Sequence, residues 1–141
     1  MNIKLLSDEQ YLAIHYAIMK KHDDLDQAGI KYLDRFEAMI ERPSSHFFGE
    51  ELYPSVVEKA CCIYHSITTT HIFQNGNKRT AFAAFLVFLR MNGFTISLTN
   101  KQAEDFTVYL AVDEKFKSND AVSILVREME PYIKPLKPDN F

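Results

Sequence analysis

The segment His71-Ile72-Phe73-Gln74-Asn75-Gly76-Asn77-Lys78-Arg79-Thr80 carries the side chains best suited to chemistry. Apolar spacing predicts a helix opening at Asn77, which puts Lys78 and Arg79 in its first turn. A helix N-terminus presents about half a positive charge, and a cation there costs about 0.3 to 1 kcal/mol. An anion held by the free amides of that turn, flanked by Lys78 and Arg79, removes the conflict. A solvated basic doublet is the plainer alternative. Gly76 is expected to let the backbone approach such an anion closely, and the apolar helix behind it would make the cradle rigid. The run Gly76 to Thr80 lacks the first glycine of a Walker A loop. His71 lies six residues before Asn77, across a tight turn, so its imidazole can face whatever the cradle holds. Its ordinary pKa, about 6.5, suits a general base, although a lone histidine is commonly structural.

The elements that must position this segment read as helices. Ser7 with Gln10 forms a capping box, and Tyr11, Leu12, Ile14, His15, Ile18 and Met19 follow at helical spacing to about Lys21. A second helix is expected from about Ala28 to Glu41, stopped by Pro43, and Ser44 to Tyr53 reads as an irregular flap. Pro54 suits the first position of a third helix running towards His71. The helix from Asn77 to Asn92 is apolar nearly all round, hence central and buried, with Gly93 at its C-terminal end. Phe94 to Leu98 reads as an extended link, Thr99 with Gln102 caps a helix to about Phe116, and Ser118 or Asn119 caps one more that ends at Pro131. The expected fold class is mainly α: about six helices around a buried central helix, with a short irregular flap.

The 141 residues, 47% hydrophobic and 25% charged, suit one domain over residues 1–141, with a core at about 6–130 and an extended tail at 131–141. Sixteen Lys plus Arg against 19 Asp plus Glu leave a net charge of -3, so phosphate specificity must be local and direct nucleic-acid binding is not expected. Cys61 and Cys62 are adjacent on a helix, where neighbouring side chains diverge, so they read as buried thiols in a reducing cytoplasm. Neither a secretory leader nor a membrane span is expected. His46, His65 and the pairs Asp23-Asp24 and Glu50-Glu51 are assigned no chemistry, the acidic pairs reading as solvated faces. Ser66, Thr68, Thr69 and Thr70 read as supporting or buried hydroxyls.

From His71 to Arg79 the chain resembles the active-site motif of the Fic/Doc family, H-x-F-x-D/E-G-N-G-R in Fic enzymes and H-x-F-x-D/N-A/G-N-K-R in the death-on-curing (Doc) branch. Lys78 groups it with Doc. The resemblance extends from about Leu6 to Asn119, through Phe36 to Pro43, Glu51 to Pro54, and Met91-Asn92-Gly93.

The resemblance implies a Fic-like helical fold and a toxin of a toxin–antitoxin pair. Such a protein uses ATP and Mg²⁺ to phosphorylate a hydroxyl of a protein target, the translation factor elongation factor Tu, and so blocks translation. His71 then corresponds to the general base and Phe73 to the buried anchor of the loop. Asn75, Gly76, Asn77, Lys78 and Arg79 form the nucleotide site, Lys78 and Arg79 also being catalytic, and the flap holds the substrate. Asn75 stands where many relatives carry an acidic Mg²⁺ ligand, so only weak metal binding is expected there. Nucleotidyl transfer of the Fic type and an inactive anion-binding or docking domain are the alternatives. The inhibitory pattern S/T-x-x-x-E-G/N is absent from the sequence, so no glutamate of that type can pair with Arg79 in cis, and inhibition is expected from an antitoxin protein in trans.

Overall fold

Local capping chemistry accounts for where three of the six α-helices begin. In a computed structural model, which describes residues 2–137, Ser7 caps α1 (Asp8–Lys21), Ser55 caps α3 (Val56–Thr69) and Thr99 caps α5 (Asn100–Val112). In each, the cap oxygen accepts the backbone N–H three residues on, while Gln10, Glu58 or Gln102 reaches back to the cap amide. Pro54 therefore precedes the cap of α3 instead of opening the helix. The remaining helices are α2 (Leu33–Glu41), α4 (Asn77–Met91) and α6 (Ala121–Met129). Asp120, not Ser118 or Asn119, occupies the cap position of α6.

The mainly α architecture is as expected, and the differences have causes that are partly tertiary and partly local. Helix α2 starts at Leu33 because the backbone before it is drawn away: the amides of Lys31 and Tyr32 donate to the Ile72 carbonyl at 2.7 and 3.1 Å, outside any helix. The stretch expected to be irregular forms a hairpin of β1 (His46–Phe47) and β2 (Glu50–Glu51), turning through left-handed Phe48 and Gly49. Helix α5 stops at Val112, since the Asp113 side chain accepts from the Lys115 amide and opens a separate 3-10 turn, Glu114–Lys117. The link after α4 is β3 (Phe94–Ile96), and it pairs antiparallel with β4 (Ile133–Pro135). That part of the expected tail is extended and also hydrogen-bonded; residues 138–141 of it lie outside the described residues.

The helical hairpin α3–α4 occupies the centre, with α1 against α4, α6 against α3, and α5 against both. Ten of the 14 residues of α3 are buried but only six of the 15 of α4, so α3 is the deeper of the two. Val87 of α4 remains partly in solvent. Tyr64 of α3 stacks on Phe85 of α4 with centroids 4.6 Å apart. The Thr107 hydroxyl donates to the Ala103 carbonyl, so the buried Tyr64 hydroxyl donates to Thr107. Burial pushes both thiols up, Cys62 to about 11, so neither ionises at neutral pH. Among the described residues no helix is long and apolar enough to cross a membrane.

Because α3 carries so much of the core, its cap is a sensitive test of this packing. Ser55→Ala removes the acceptor of the Glu58 amide and should lower unfolding free energy by about 1 kcal/mol in urea titration, with an unchanged m-value.

Candidate active site

Residues Thr70 to Gly76 join α3 to α4, and their conformation is determined by side chains from three other segments. Arg35 of α2 donates to the Thr70 carbonyl at 2.8 Å, a cation on the last exposed acceptor of α3, and its guanidinium lies over the Tyr32 ring at 4.1 Å. His71 follows with φ 53, a left-handed backbone unusual for a side chain of its size. The chain then runs antiparallel to residues 29–32: Ile30 bridges Phe73, and the Gln74 amide donates to the Gly29 carbonyl at 2.8 Å. The Asn77 side chain closes the loop, its Oδ1 accepting from the Phe73 amide at 2.9 Å and its Nδ2 donating to the Phe73 carbonyl at 3.0 Å. Asn77, expected as a phosphate-binding side chain, thus has each amide end engaged once within the loop, and its second Nδ2–H and its backbone N–H remain available to a ligand.

Gly76 has φ 70, and a Cβ there would collide with the Met19 sulfur of α1. The left-handed backbone and the Met19 contact both favour glycine at this position. As the residue before α4 it has no side chain to cap the helix, and the first intrahelical bond runs from the Thr80 amide to the Gly76 carbonyl at 2.9 Å. The amides of Asn77, Lys78 and Arg79 consequently open the helix without a side-chain cap.

Beneath the loop lies a histidine with no role expected from sequence. His15 is fully buried and stacks on Phe73, centroids 3.9 Å apart and planes 11° apart. Its Nε2 accepts the Gly29 amide at 2.9 Å, so the proton sits on Nδ1 and is donated to Thr80 Oγ1 at 3.0 Å. One neutral imidazole thus joins α1, the 29–32 segment, the motif loop and the first turn of α4. Burial lowers its pKa from 6.5 to about 4.

Around the cradle the polar side chains have definite partners. Arg79 is half-exposed, with Nη1 3.4 Å from Asp24 Oδ2. Asn75 donates to Gln27 Oε1 at 2.7 Å, and its own Oδ1 accepts from the Gly76 amide at 2.8 Å. Lys78 is exposed. His71, also exposed, lines a cavity of about 480 Å³ with His65, Thr69, Phe116, Lys117 and Ser118. His65 itself is engaged, its Nε2 donating to the Phe116 carbonyl and its Nδ1 accepting from Arg42; burial, and secondarily Arg42, lower its pKa. Ser66 accepts from Arg42, while Thr69 and Thr70 donate to carbonyls of the preceding turn, the supporting parts expected of them.

Sequence reasoning missed four residues that shape the site: His15, Asp24, Gln27 and Arg35. Asp24 is a correction, since the Asp23-Asp24 pair read as a solvated face. The Asp24 carboxylate reaches Arg79 from the α1–α2 connection, a route unrelated to the sought glutamate pattern. Only the burial periodicity of α1 could have flagged His15, and nothing local flags the others.

Fold and loop together define a helical protein that presents a nine-residue motif across a loop and the first turn of a core helix. The chain belongs to the Fic/Doc family, whose model, described as the Fic/DOC family, matches residues 5–89. It is 36% identical over 77 residues to a protein named Toxin Doc from Mycolicibacterium smegmatis, a match covering 55% of each chain. It is 31% identical over 109 residues to Protein kinase doc of Escherichia phage P1, covering 77% of this chain and 83% of the phage protein. The match thus spans about half the length of the first relative and most of the second.

The buried imidazole makes stability pH-dependent with a definite sign. Between pH 6.5 and about 4 the unfolded chain protonates His15 while the folded chain does not, so stability falls as pH falls through that window. His15 should account for a loss of about 1 to 3 kcal/mol by pH 4. In His15→Gln, which cannot titrate, melting temperature should fall less steeply over the same range.

Proposed function

We propose that this protein is a Doc-like toxin that transfers the terminal phosphoryl group of ATP to a hydroxyl of a protein target. The observation that supports it is the start of α4, which has no side-chain cap and carries Lys78 and Arg79 in its first turn, with the exposed His71 in the connection that leads into it. The name of the phage relative, a protein kinase, and Lys78 in place of the Fic glycine favour phosphoryl over nucleotidyl transfer.

The donor set fits polyphosphate: three backbone N–H groups, one ammonium and one guanidinium belong to the first turn of α4, at the positive end of a helix dipole. It does not fit a protein-bound Mg²⁺. Among the described residues no three His, Cys, Asp or Glu side chains converge, and the Asn75 oxygen already accepts from Gly76. Mg²⁺ would therefore be carried by the nucleotide phosphates.

His71 in this reading takes the proton of the attacking hydroxyl. An oxygen–phosphorus bond forms as the bond to the departing ADP breaks, and the amides of residues 77–79 with Lys78 and Arg79 neutralise the charge spreading over the phosphoryl oxygens. The β1–β2 hairpin supplies a surface for a protein substrate: Phe47 and Phe48 are exposed at its tip, and buried Lys59 ties its base by donating to Glu51 at 3.0 Å and to the Pro43 carbonyl at 2.7 Å. The target in this reading is elongation factor Tu, and growth arrest through blocked translation is relieved by an antitoxin encoded alongside.

Incubation of the protein with γ-labelled and, separately, α-labelled ATP in bacterial extract tests the reading. Label from the γ position alone, on a band of the size of elongation factor Tu, is expected; label from the α position would make it a nucleotidyl transferase, and none from either would leave a docking domain. His71→Ala should reduce labelling about 10²- to 10⁴-fold with an unchanged melting curve, as loss of a general base does.

The cations carry a separate expectation. Lys78→Ala and Arg79→Ala should both weaken ATP binding. Without ligand, Lys78→Ala should stabilise the fold by up to about 1 kcal/mol through relief of the dipole conflict. Arg79→Ala should be near neutral, because loss of the exposed Asp24 pair, about 0.2 to 1 kcal/mol, offsets that relief. Urea titration of the three proteins separates the cases.

A further inference from the structure

The connection between α1 and α2 lies over the start of α4. His22 ends α1, Asp23 turns the chain with φ 58, and the Asp24 amide donates back to the Met19 carbonyl at 2.8 Å. That bond places the Asp24 carboxylate against Arg79. Three residues on, Gln27 takes the Asn75 amide, so one short segment contacts the motif at two points. Asp23 and Asp26 belong to the same turn, are exposed, and make no ion pair among the described residues. The turn therefore brings negative charge to a place whose amides and cations call for an anion.

We propose that Asp24 is a specificity-determining residue of the α4 site, acting on the charge of the ligand it takes. The inference rests on the anion-binding reading of Asn77 to Arg79. A carboxylate beside Arg79 subtracts one positive charge from the cradle, and its repulsion of a bound phosphate grows with the ligand's charge. Free ATP, with about four negative charges, is penalised more than ATP chelated to a divalent cation, which carries about two fewer. The pair is loose enough for this role. At 3.4 Å, with Arg79 half in solvent and Asp24 one-third exposed, the guanidinium can turn to a phosphate without leaving a charge buried and unpaired. Asn75 carries no charge of its own, so Asp24 is the carboxylate in contact with the motif from outside it. The protein thereby selects a metal-chelated triphosphate without itself holding the metal.

The test is calorimetric titration of the whole chain and of Asp24→Asn with inorganic phosphate, with ATP plus a chelator of divalent ions, and with Mg²⁺–ATP, all at one ionic strength. The variant should bind free ATP about three- to tenfold more tightly, with a smaller gain or none for inorganic phosphate and for Mg²⁺–ATP, each of which carries about two negative charges. Asp24→Glu, which keeps the charge, should restore the wild-type preference. A structural role for Asp24 would weaken all three ligands together, and that result overturns the proposal, as does an unchanged ratio between free and chelated ATP. If neither protein binds any of the three, the anion-site reading fails and this inference with it.

Discussion

Ten buried positions in the 14 residues of α3 are the constraint on which the rest of the molecule depends. A helix with so little solvated surface is stable only when surrounded, because its intrinsic propensity cannot offset the entropy of ordering it alone. Helices α4, α5, α6 and α2 are its lining, each turning an apolar face inward. Even its one buried charge, Lys59, is accommodated by a carbonyl and a carboxylate reached from the flap side. The motif loop is the short connection that lets α4 fold back along α3. Its rigidity is a consequence of what lies behind it.

The connection itself holds unfavourable local geometry in a favourable setting. His71 and Gly76 both adopt left-handed backbone, one at each end of the loop. For Gly76 this costs little, and Met19 fills the space a side chain would need. For His71 the conformation persists because neighbours over-determine it: Arg35 fixes the residue before, Lys31 and Tyr32 hold the carbonyl of the residue after, and Asn77 clamps Phe73. The neutral His15 imidazole then bonds two of these segments and stacks on a third. These contacts fix the loop from behind and leave the His71 side chain exposed.

Electrostatics in this region is a matter of short distances. The net charge of -3 says little about the α4 start, where two cations, a helix dipole and the Asp24 carboxylate meet within one turn. Exposed pairs of this kind add little to stability, and their effect falls on what binds. The same is true of the flap, whose exposed Phe47 and Phe48 contribute to no core.

Much of this was legible in the amino-acid sequence because it depends on neighbours a turn away. The capping boxes at Ser7 and Thr99, the period of the helices, and the opening of α4 at Asn77 are local, and so is the pairing of cations with an uncapped helix start. The third box, Ser55 with Glu58, was equally local and was obscured by Pro54 beside it. Family membership followed from nine consecutive residues. Tertiary structure alone decided the rest. The start of α2 was reset by a carbonyl about 40 residues away. The strand β4 exists only against β3, and Asp24 meets Arg79 across 55 positions. A hydrogen bond or ion pair between distant segments imposes no periodicity on either, so the residues that position and charge the site become visible only when the chain has closed on itself.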